Sequence, residues 1–437
     1  MATPVRFGTD GIRGRVDDEI TVDLAYRLGR AVACVFSAPV FVGCDTRESS
    51  PALSAAVLAG LNDGGATFVN LGCFTTPGVA VIAQQRYGAG VVVSASHNPY
   101  YDNGLKVLGV GGGKLDHATE QAVTASLNEA ANPDRRDFAL PPVDDTAEGE
   151  YIAHLRTLVP GDFSSLHLVI DCANGAASHV ARELFAGTGA RLTLLHDRPD
   201  GHNINEACGS THVESLVEAV CREGADLGLA FDGDADRLVA VDARGTVRDG
   251  DDLMIVFTLD LLRRDELDGG LVVTSMSNLG LHRALGPLGV AVVETDVGDR
   301  NVLLALEERA WPFGGEQSGH LIFRQLSPTG DGLLTGLLLC DLVVRRGPLY
   351  EQAEAVWRRV PQALINVGRE HYDDGAVRAL FEELVARHGL DDGDVRLVIR
   401  PSGTEPLVRV MVEAMNADFV GEFTDRLRGH FPSTQHH

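Results

Sequence analysis

"VVVSASHNPYYDNGLKV", residues 91–107, begins as a buried strand and then opens into two serines, a histidine, two asparagines, a proline and a glycine before it reaches Lys106. A core strand that empties into so polar a loop is the mark of an open α/β sheet, whose ligand-binding loops sit at the carboxyl ends of its strands. The rest of the chain repeats the pattern. Short β-branched runs ("VFVG" at Val40, "TFVNL" at Thr67, "LHLVID" at Leu166, "DLGLAF" at Asp226, "LVVTS" at Leu271) alternate with amphipathic stretches such as "TVDLAYRLGRAVACVF" from Thr21, "HVESLVEAVCREG" from His212 and "RNVLLALEERA" from Arg300. Such alternation predicts parallel pairing with right-handed crossovers.

Proline-rich or charged stretches at 128–150, 242–252 and 358–367 divide the 437 residues into four parts. The divisions predict units at 1–150, 151–246, 247–361 and 362–437. The first three read as doubly wound α/β with mixed or parallel sheets, and the last, with "VRLVIR" and "LVRVMVE", as a smaller α+β module. A formal charge of −25 argues against nucleic acid or an anionic membrane as partner, while leaving a small anionic ligand open. Seven scattered cysteines, none in a C-x-x-C pair, suit reduced thiols in a cytoplasmic protein. "MATPVRFGTDGIRG" lacks the apolar core of a secretory signal. "GLLTGLLLCDLVV", too short to span a bilayer, predicts a buried helix.

Four motifs carry chemistry. In "FDGDADR", directly after a strand, Asp232, Asp234 and Asp236 alternate, so a turning backbone can aim all three carboxylates at one hard cation such as Mg2+. An EF-hand reading fails, because Arg237 and Ala243 stand where a glycine and a bidentate glutamate are needed. In the opening loop, alternation carries Ser96 past the strand end, where its hydroxyl can be exposed, and leaves Ser94 as a satisfied hydrogen-bonding residue. "SASHN" is not a nucleophile elbow, and His97 as an adjacent residue is expected to diverge from Ser96. Ser96 as a phosphoryl acceptor beside the cation is the alternative, since phosphate oxygens complete a Mg2+ shell. "RPSGTEPLVR" offers Arg400, Ser402, Gly403, Thr404 and Arg409 as an anion cradle. "GGEQSGH" sets Glu316, Ser318 and His320 between glycines, a loop suited to a polyol. "GVGGGK" lacks the phasing of a dinucleotide fingerprint.

Together, "SASHNPYYDNGLKV", "DGDADR", "GGEQSGH" and "RPSGTEP", in this order over nearly the whole chain, resemble the phosphoserine, metal, sugar and phosphate loops of the α-D-phosphohexomutase superfamily. "FGTDGIRG", "TDVGDRNV", the Gln-Ser-Gly-His loop and "PTGDGLLTGL" resemble the bacterial branch acting on glucosamine phosphates; mannose- or glucose-phosphate mutases are the alternative. Ala235, where a glycine is frequent, and Pro401, where a lysine often stands in glucosamine enzymes, depart from the usual pattern.

The resemblance implies four domains around a cleft and an isomerase converting glucosamine 6-phosphate into glucosamine 1-phosphate on the way to UDP-N-acetylglucosamine and the cell wall. The route runs through a phosphoserine and a glucosamine 1,6-bisphosphate intermediate that also serves as activator. Ser96 would carry the phosphate, with Ser96, Asp232, Asp234 and Asp236 holding Mg2+. Lys106, Arg13 and Arg237 would line the transfer site, with Lys106 and His320 as rival acid–base groups. Glu316, Ser318 and His320 would contact the sugar, and Arg400, Ser402, Gly403, Thr404 and Arg409 the distal phosphate. A homodimer, and a kinase or the bisphosphate as the source of the phosphate on Ser96, are further expectations. A Mg2+-dependent phosphatase fits less well, because a hydrolase gains little from a second phosphate clamp.

Overall fold

The computed structural model describes residues 11–134, 136–401 and 407–431. Its strands form four sheets. The first runs, edge to edge, Ile12–Arg15, Asp102–Leu108, Ala89–Val93, Val40–Cys44, Phe68–Cys73. The second runs Val247–Arg248, Leu238–Asp242, Leu227–Phe231, His167–Asp171, Arg191–Leu195, and the third Ala291–Thr295, Gly270–Thr274, Phe313–Gly315, Leu321–Phe323. The fourth, Gln362–Gly368, Leu407–Ala414, Val395–Pro401, is wholly antiparallel.

The first three sheets are mixed, one of the two forms expected. Each has a parallel part and then a reversal: Ala89–Val93 against Asp102–Leu108, Leu227–Phe231 against Leu238–Asp242, Phe313–Gly315 against Leu321–Phe323; in the first two sheets the edge strands Ile12–Arg15 and Val247–Arg248 add a second antiparallel pair. The intervening loops are 94–101, 232–237 and 316–320. A parallel crossover needs a dozen or more residues, so loops this short force the chain back beside itself. The three chemistry-bearing loops of the sequence thus occupy one equivalent position in three sheets. In the fourth sheet the strands Val395–Pro401 and Leu407–Ala414 pair antiparallel.

Helices cover the sheets where the apolar period predicts them. Helix Val22–Val35 starts at Thr21, whose hydroxyl accepts from the Leu24 N–H at 3.1 Å. It crosses helix Ser50–Asp63 at a pair of glycines: a Cβ on Gly29 would stand 2.1 Å from the Val57 carbonyl oxygen, and one on Gly60 2.1 Å from that of Tyr26. Gly29→Ala is therefore expected to cost about 1–3 kcal/mol of stability, read as a lower urea midpoint, with the chain still folded. Helix Gly332–Arg346 is the buried helix foreseen; Asp331 caps it, and its Gly332 N–H donates to the Ala235 carbonyl at 3.0 Å, seating the helix start under the aspartate loop. No helix among the described residues is long and apolar enough to cross a membrane.

One apolar cluster runs through the first three units, from Phe41 to Trp357, with a second on the outer face of the first sheet. The last unit keeps its own core around Val410, Phe419 and Phe423. It meets the third unit through polar contacts: Glu413 accepts from the Leu279 N–H at 3.1 Å, Arg283 pairs with Asp394 at 2.6 Å, and Arg396 bonds to Glu294 and to the Ser277 carbonyl.

Candidate active site

Ser96 lies past the end of strand Ala89–Val93, as expected, but its side chain is only 1% exposed, so the open hydroxyl foreseen at the sheet edge is instead enclosed. Its backbone is left-handed (φ 55°), which turns the side chain inward so that Oγ donates to Asp232 Oδ2 at 2.5 Å. The same turn overturns the expectation that His97 diverges from it: His97 Nδ1 stands 3.3 Å from Ser96 Oγ. Ser94 is satisfied as foreseen, donating to Asp45 Oδ2 at 2.6 Å while accepting from the Ser96 N–H at 2.9 Å.

Two residues absent from the sequence reading hold this loop. Arg47, fully buried and paired with Asp45 at 2.8 Å, donates to the carbonyls of Ser96 (3.0 Å), Asn98 (2.8 Å) and Asp102 (3.0 Å). Asn205, from the second unit, donates to the Ser96 and Asn98 carbonyls at 2.9 and 3.0 Å. Arg47 follows the strand Val40–Cys44 in "CDTRESS", a polar strand end of the kind already read as functional elsewhere, and that was the available signal.

Asp232, Asp234 and Asp236 are all buried and each has a carboxylate oxygen within 4.8 Å of the others. Gly233 is required between them, since a Cβ there would stand 2.5 Å from the Ser96 carbonyl oxygen. Ala235 takes the left-handed conformation (φ 59°), which explains why a glycine is frequent at that place. Asp234 accepts from Lys106 Nζ at 2.6 Å and from Thr76 Oγ1 at 2.5 Å, and Asp236 lies 3.6 Å from the same ammonium. Burial, reinforced by Asp236 and Asp234, pushes Asp232 up to about 8, whereas Asp236 is held well below the usual range because Lys106, His320 and Arg237 outweigh its own burial. Asp234 Oδ1 and Asp236 Oδ1 are buried without a hydrogen-bond donor. Three enclosed carboxylates with unused oxygens aimed together fit a hard divalent cation such as Mg2+.

Lys106 comes from strand Asp102–Leu108, opposite Val92, and Arg13 from the edge strand, opposite Gly104. Burial, then the charges of Arg237 and Arg13, pull His97 down to about 3, so both guanidiniums flank the Ser96 loop and the imidazole there is neutral.

His320 is buried between two carboxylates, with Nδ1 3.7 Å from Asp236 and Nε2 3.7 Å from Asp299. Burial alone would lower its pKa, but Asp236, Asp299 and Glu316 outweigh it and push it up to about 9. Asp299, from "TDVGDRNV", in turn pairs with Lys114 at 2.6 Å, so the "GGGK" run discarded as a nucleotide motif joins the first unit to the third beside the site. Glu316 accepts from the Gly298 N–H at 3.0 Å, and burial raises its pKa. Ser318 is exposed at the tip of its loop. Arg400 and Arg409 stand opposite each other on adjacent strands. Burial and then the Arg409 charge lower Arg400, while Glu316 acts in the opposite sense, so Arg400 lies within electrostatic reach of the Glu316 loop. Ser402, Gly403 and Thr404 lie outside the described residues.

Four family models match in sequence: phosphoglucomutase/phosphomannomutase alpha/beta/alpha domain I over residues 4–134, domain II over 149–245, domain III over 249–360 and the C-terminal domain over 359–430. A phosphoglucosamine mutase of Kineococcus radiotolerans is 44% identical over 96% of this chain and 97% of its own. A phosphoglucomutase/phosphomannomutase family protein of Burkholderia thailandensis shares the fold with a TM-score of 0.79 at 22% identity, covering 97% of this chain and 96% of its own. An N-acetylphosphoglucosamine mutase of Aspergillus fumigatus, solved with GlcNAc-6P and magnesium, does so with a TM-score of 0.64 at 20% identity over 98% and 95% of the two chains.

Proposed function

We propose that this chain, which belongs to the phosphoglucosamine mutase family of the α-D-phosphohexomutase superfamily, interconverts glucosamine 6-phosphate and glucosamine 1-phosphate through a phosphate carried on Ser96. The observation that carries the reading is the enclosure of Ser96 Oγ, 2.5 Å from Asp232 and beside the basic groups of Lys106, Arg13 and Arg237. Phosphoryl transfer demands little beyond positioning and neutralisation of charge on the moving group, and this loop is built for both.

Asp232, Asp234 and Asp236 are assigned to Mg2+, together with an oxygen on Ser96. When bound there, the cation supplies Lewis-acid neutralisation of phosphoryl oxygens. Lys106, Arg13 and Arg237 add positive charge around the same oxygens. In the forward half-reaction the bond from phosphorus to Ser96 Oγ breaks, a bond to the sugar's free hydroxyl oxygen forms, and the proton of that hydroxyl ends on the departing Ser96 Oγ, which leaves as the serine hydroxyl. The product is glucosamine 1,6-bisphosphate. The bisphosphate then turns end for end and returns its other phosphoryl group to Ser96. Arg400, Ser402, Gly403, Thr404 and Arg409 hold the phosphate that is not reacting, and Glu316, Ser318 and His320 face the sugar. His320, kept protonated by Asp236 and Asp299, is suited to donate rather than accept. Reorientation requires room, and the separate core and polar seam of the last unit suit it to opening.

Among the described residues the Arg47 guanidinium donates to its Asp45 partner and to main-chain carbonyls of Ser96, Asn98, Pro99 and Asp102, so it acts by positioning. Arg47→Lys, which keeps the charge but loses the fork, is expected to lower kcat about 10²-fold with KM for the sugar phosphate little changed. A fall in KM-linked affinity at constant kcat would contradict this role. The sugar is tested by competition among glucosamine, glucose and mannose 6-phosphates: kcat/KM is expected to be highest for glucosamine 6-phosphate, and a preference for either of the others would move the chain to the mannose- or glucose-phosphate branch.

A further inference from the structure

A second convergence of side chains lies outside this site, at the carboxyl edge of the second sheet. Asp171 ends strand His167–Asp171, His196 follows its register neighbour Leu195, and Cys208 comes in from the loop before the short turn Gly209–Thr211. One carboxylate oxygen, one ring nitrogen and the thiol lie within 4.8 Å of one another. Asp171 and Cys208 are fully buried, and His196 is 30% exposed at its side chain. We propose that Asp171, His196 and Cys208 form a second cation site, for Zn2+ or a similar thiolate-seeking divalent ion, distinct from the three-aspartate cluster.

The donor set itself selects the metal. Sulfur, imidazole nitrogen and one carboxylate are the ligands of tetrahedral zinc, whereas Mg2+ takes oxygens. Bond lengths of about 2.0–2.3 Å place tetrahedral donors about 3.3–3.7 Å apart, so modest side-chain rotation closes the cluster. His196 Nδ1 is already 3.1 Å from Asp171 Oδ1, a close polar contact that brings nitrogen and carboxylate oxygen to one point, where a cation can replace the shared proton. The carboxylate is oriented from behind: Oδ1 accepts from the Ala173 N–H and Oδ2 from the Gly209 N–H, each at 2.9 Å, which leaves further lone pairs for a metal. Burial and the Asp171 carboxylate push the Cys208 thiol up to about 12, while the Asn174 Nδ2 contact at 4.0 Å works in the opposite sense, so the thiolate forms only with a bound cation beside it. Three protein donors leave the fourth tetrahedral position open, and the partly exposed histidine ring is the point of entry. Asn205, three residues before Cys208, donates to the Ser96 carbonyl, so a metal here would tie the second sheet to the phosphoserine loop.

Co2+ alone is the probe, added to the full chain after exhaustive chelation. A thiolate-to-cobalt charge-transfer band in the near ultraviolet is expected in the wild type and in Asp232→Asn, and is expected to vanish in Cys208→Ser. His196→Gln should weaken Co2+ binding at least about tenfold as read by the same band, and it serves if Cys208→Ser fails to fold by circular dichroism. Absence of the band in the folded wild type, or its survival in Cys208→Ser or at undiminished affinity in His196→Gln, would overturn the site. Neither result depends on the sugar phosphate or on turnover, so failure here leaves the mutase reading standing.

Discussion

Ser96→Ala is expected to lower kcat by about 10⁴-fold or more, with no phosphate recoverable on the corresponding peptide by mass spectrometry. Ser96 Oγ is the hydroxyl enclosed between Asp232 and His97, and no other group can replace an oxygen that must both accept and release the phosphoryl group. The protein itself should survive the change. Alanine adopts the left-handed backbone at this position at much the same cost as serine, and loses the Oγ contacts with Asp232 and His97, so the thermal midpoint is expected to move by only a few degrees. Undiminished turnover would place the nucleophile elsewhere.

Asp232→Asn is expected to separate stability from activity. Asparagine is nearly isosteric with a protonated aspartate, and burial with two neighbouring carboxylates holds Asp232 in that form up to about pH 8. A carboxyl whose pKa is raised by folding favours the folded state at low pH, and that advantage is lost as pH rises from the ordinary aspartate value of 3.8 through about 8. Asparagine does not ionise, so in EDTA the variant should be at least as heat-stable as the wild type, by a margin that grows across that window. Its activity should nevertheless fall about 10³-fold, because a neutral amide replaces a carboxylate that would ionise to hold the cation beside the phosphoryl group. Differential scanning calorimetry at several pH values, paired with a coupled assay, reads both. A variant less stable than wild type at alkaline pH, or one with near-normal turnover, would contradict the picture of a cluster strained for a cation.

The sheets were legible because their strands are unbroken apolar runs: "LHLVID" and "LVVTS" have no other place than a covered sheet. The aspartate loop was legible because three carboxylates after such a run have few alternatives. The reversals of strand direction were not, since direction follows from the shortness of loops whose ends periodicity does not fix. The enclosure of Ser96 was hidden for another reason. It depends on Asp232 and Asn205, more than a hundred residues away in another unit. Arg47 was equally silent, because its partners are main-chain carbonyls, and any residue can supply one. His97 was misjudged through a local rule, divergence of consecutive side chains, that a left-handed residue breaks.

The most direct measurement loads Ser96 with radiolabelled phosphate, using labelled bisphosphate, and then adds unlabelled glucosamine 6-phosphate with Mg2+. The label is predicted to leave the protein within a turnover and to appear first in glucosamine 1,6-bisphosphate and then in glucosamine monophosphate. Label that remains on the protein while glucosamine 1-phosphate forms, or that is released chiefly as inorganic phosphate, would contradict transfer through Ser96.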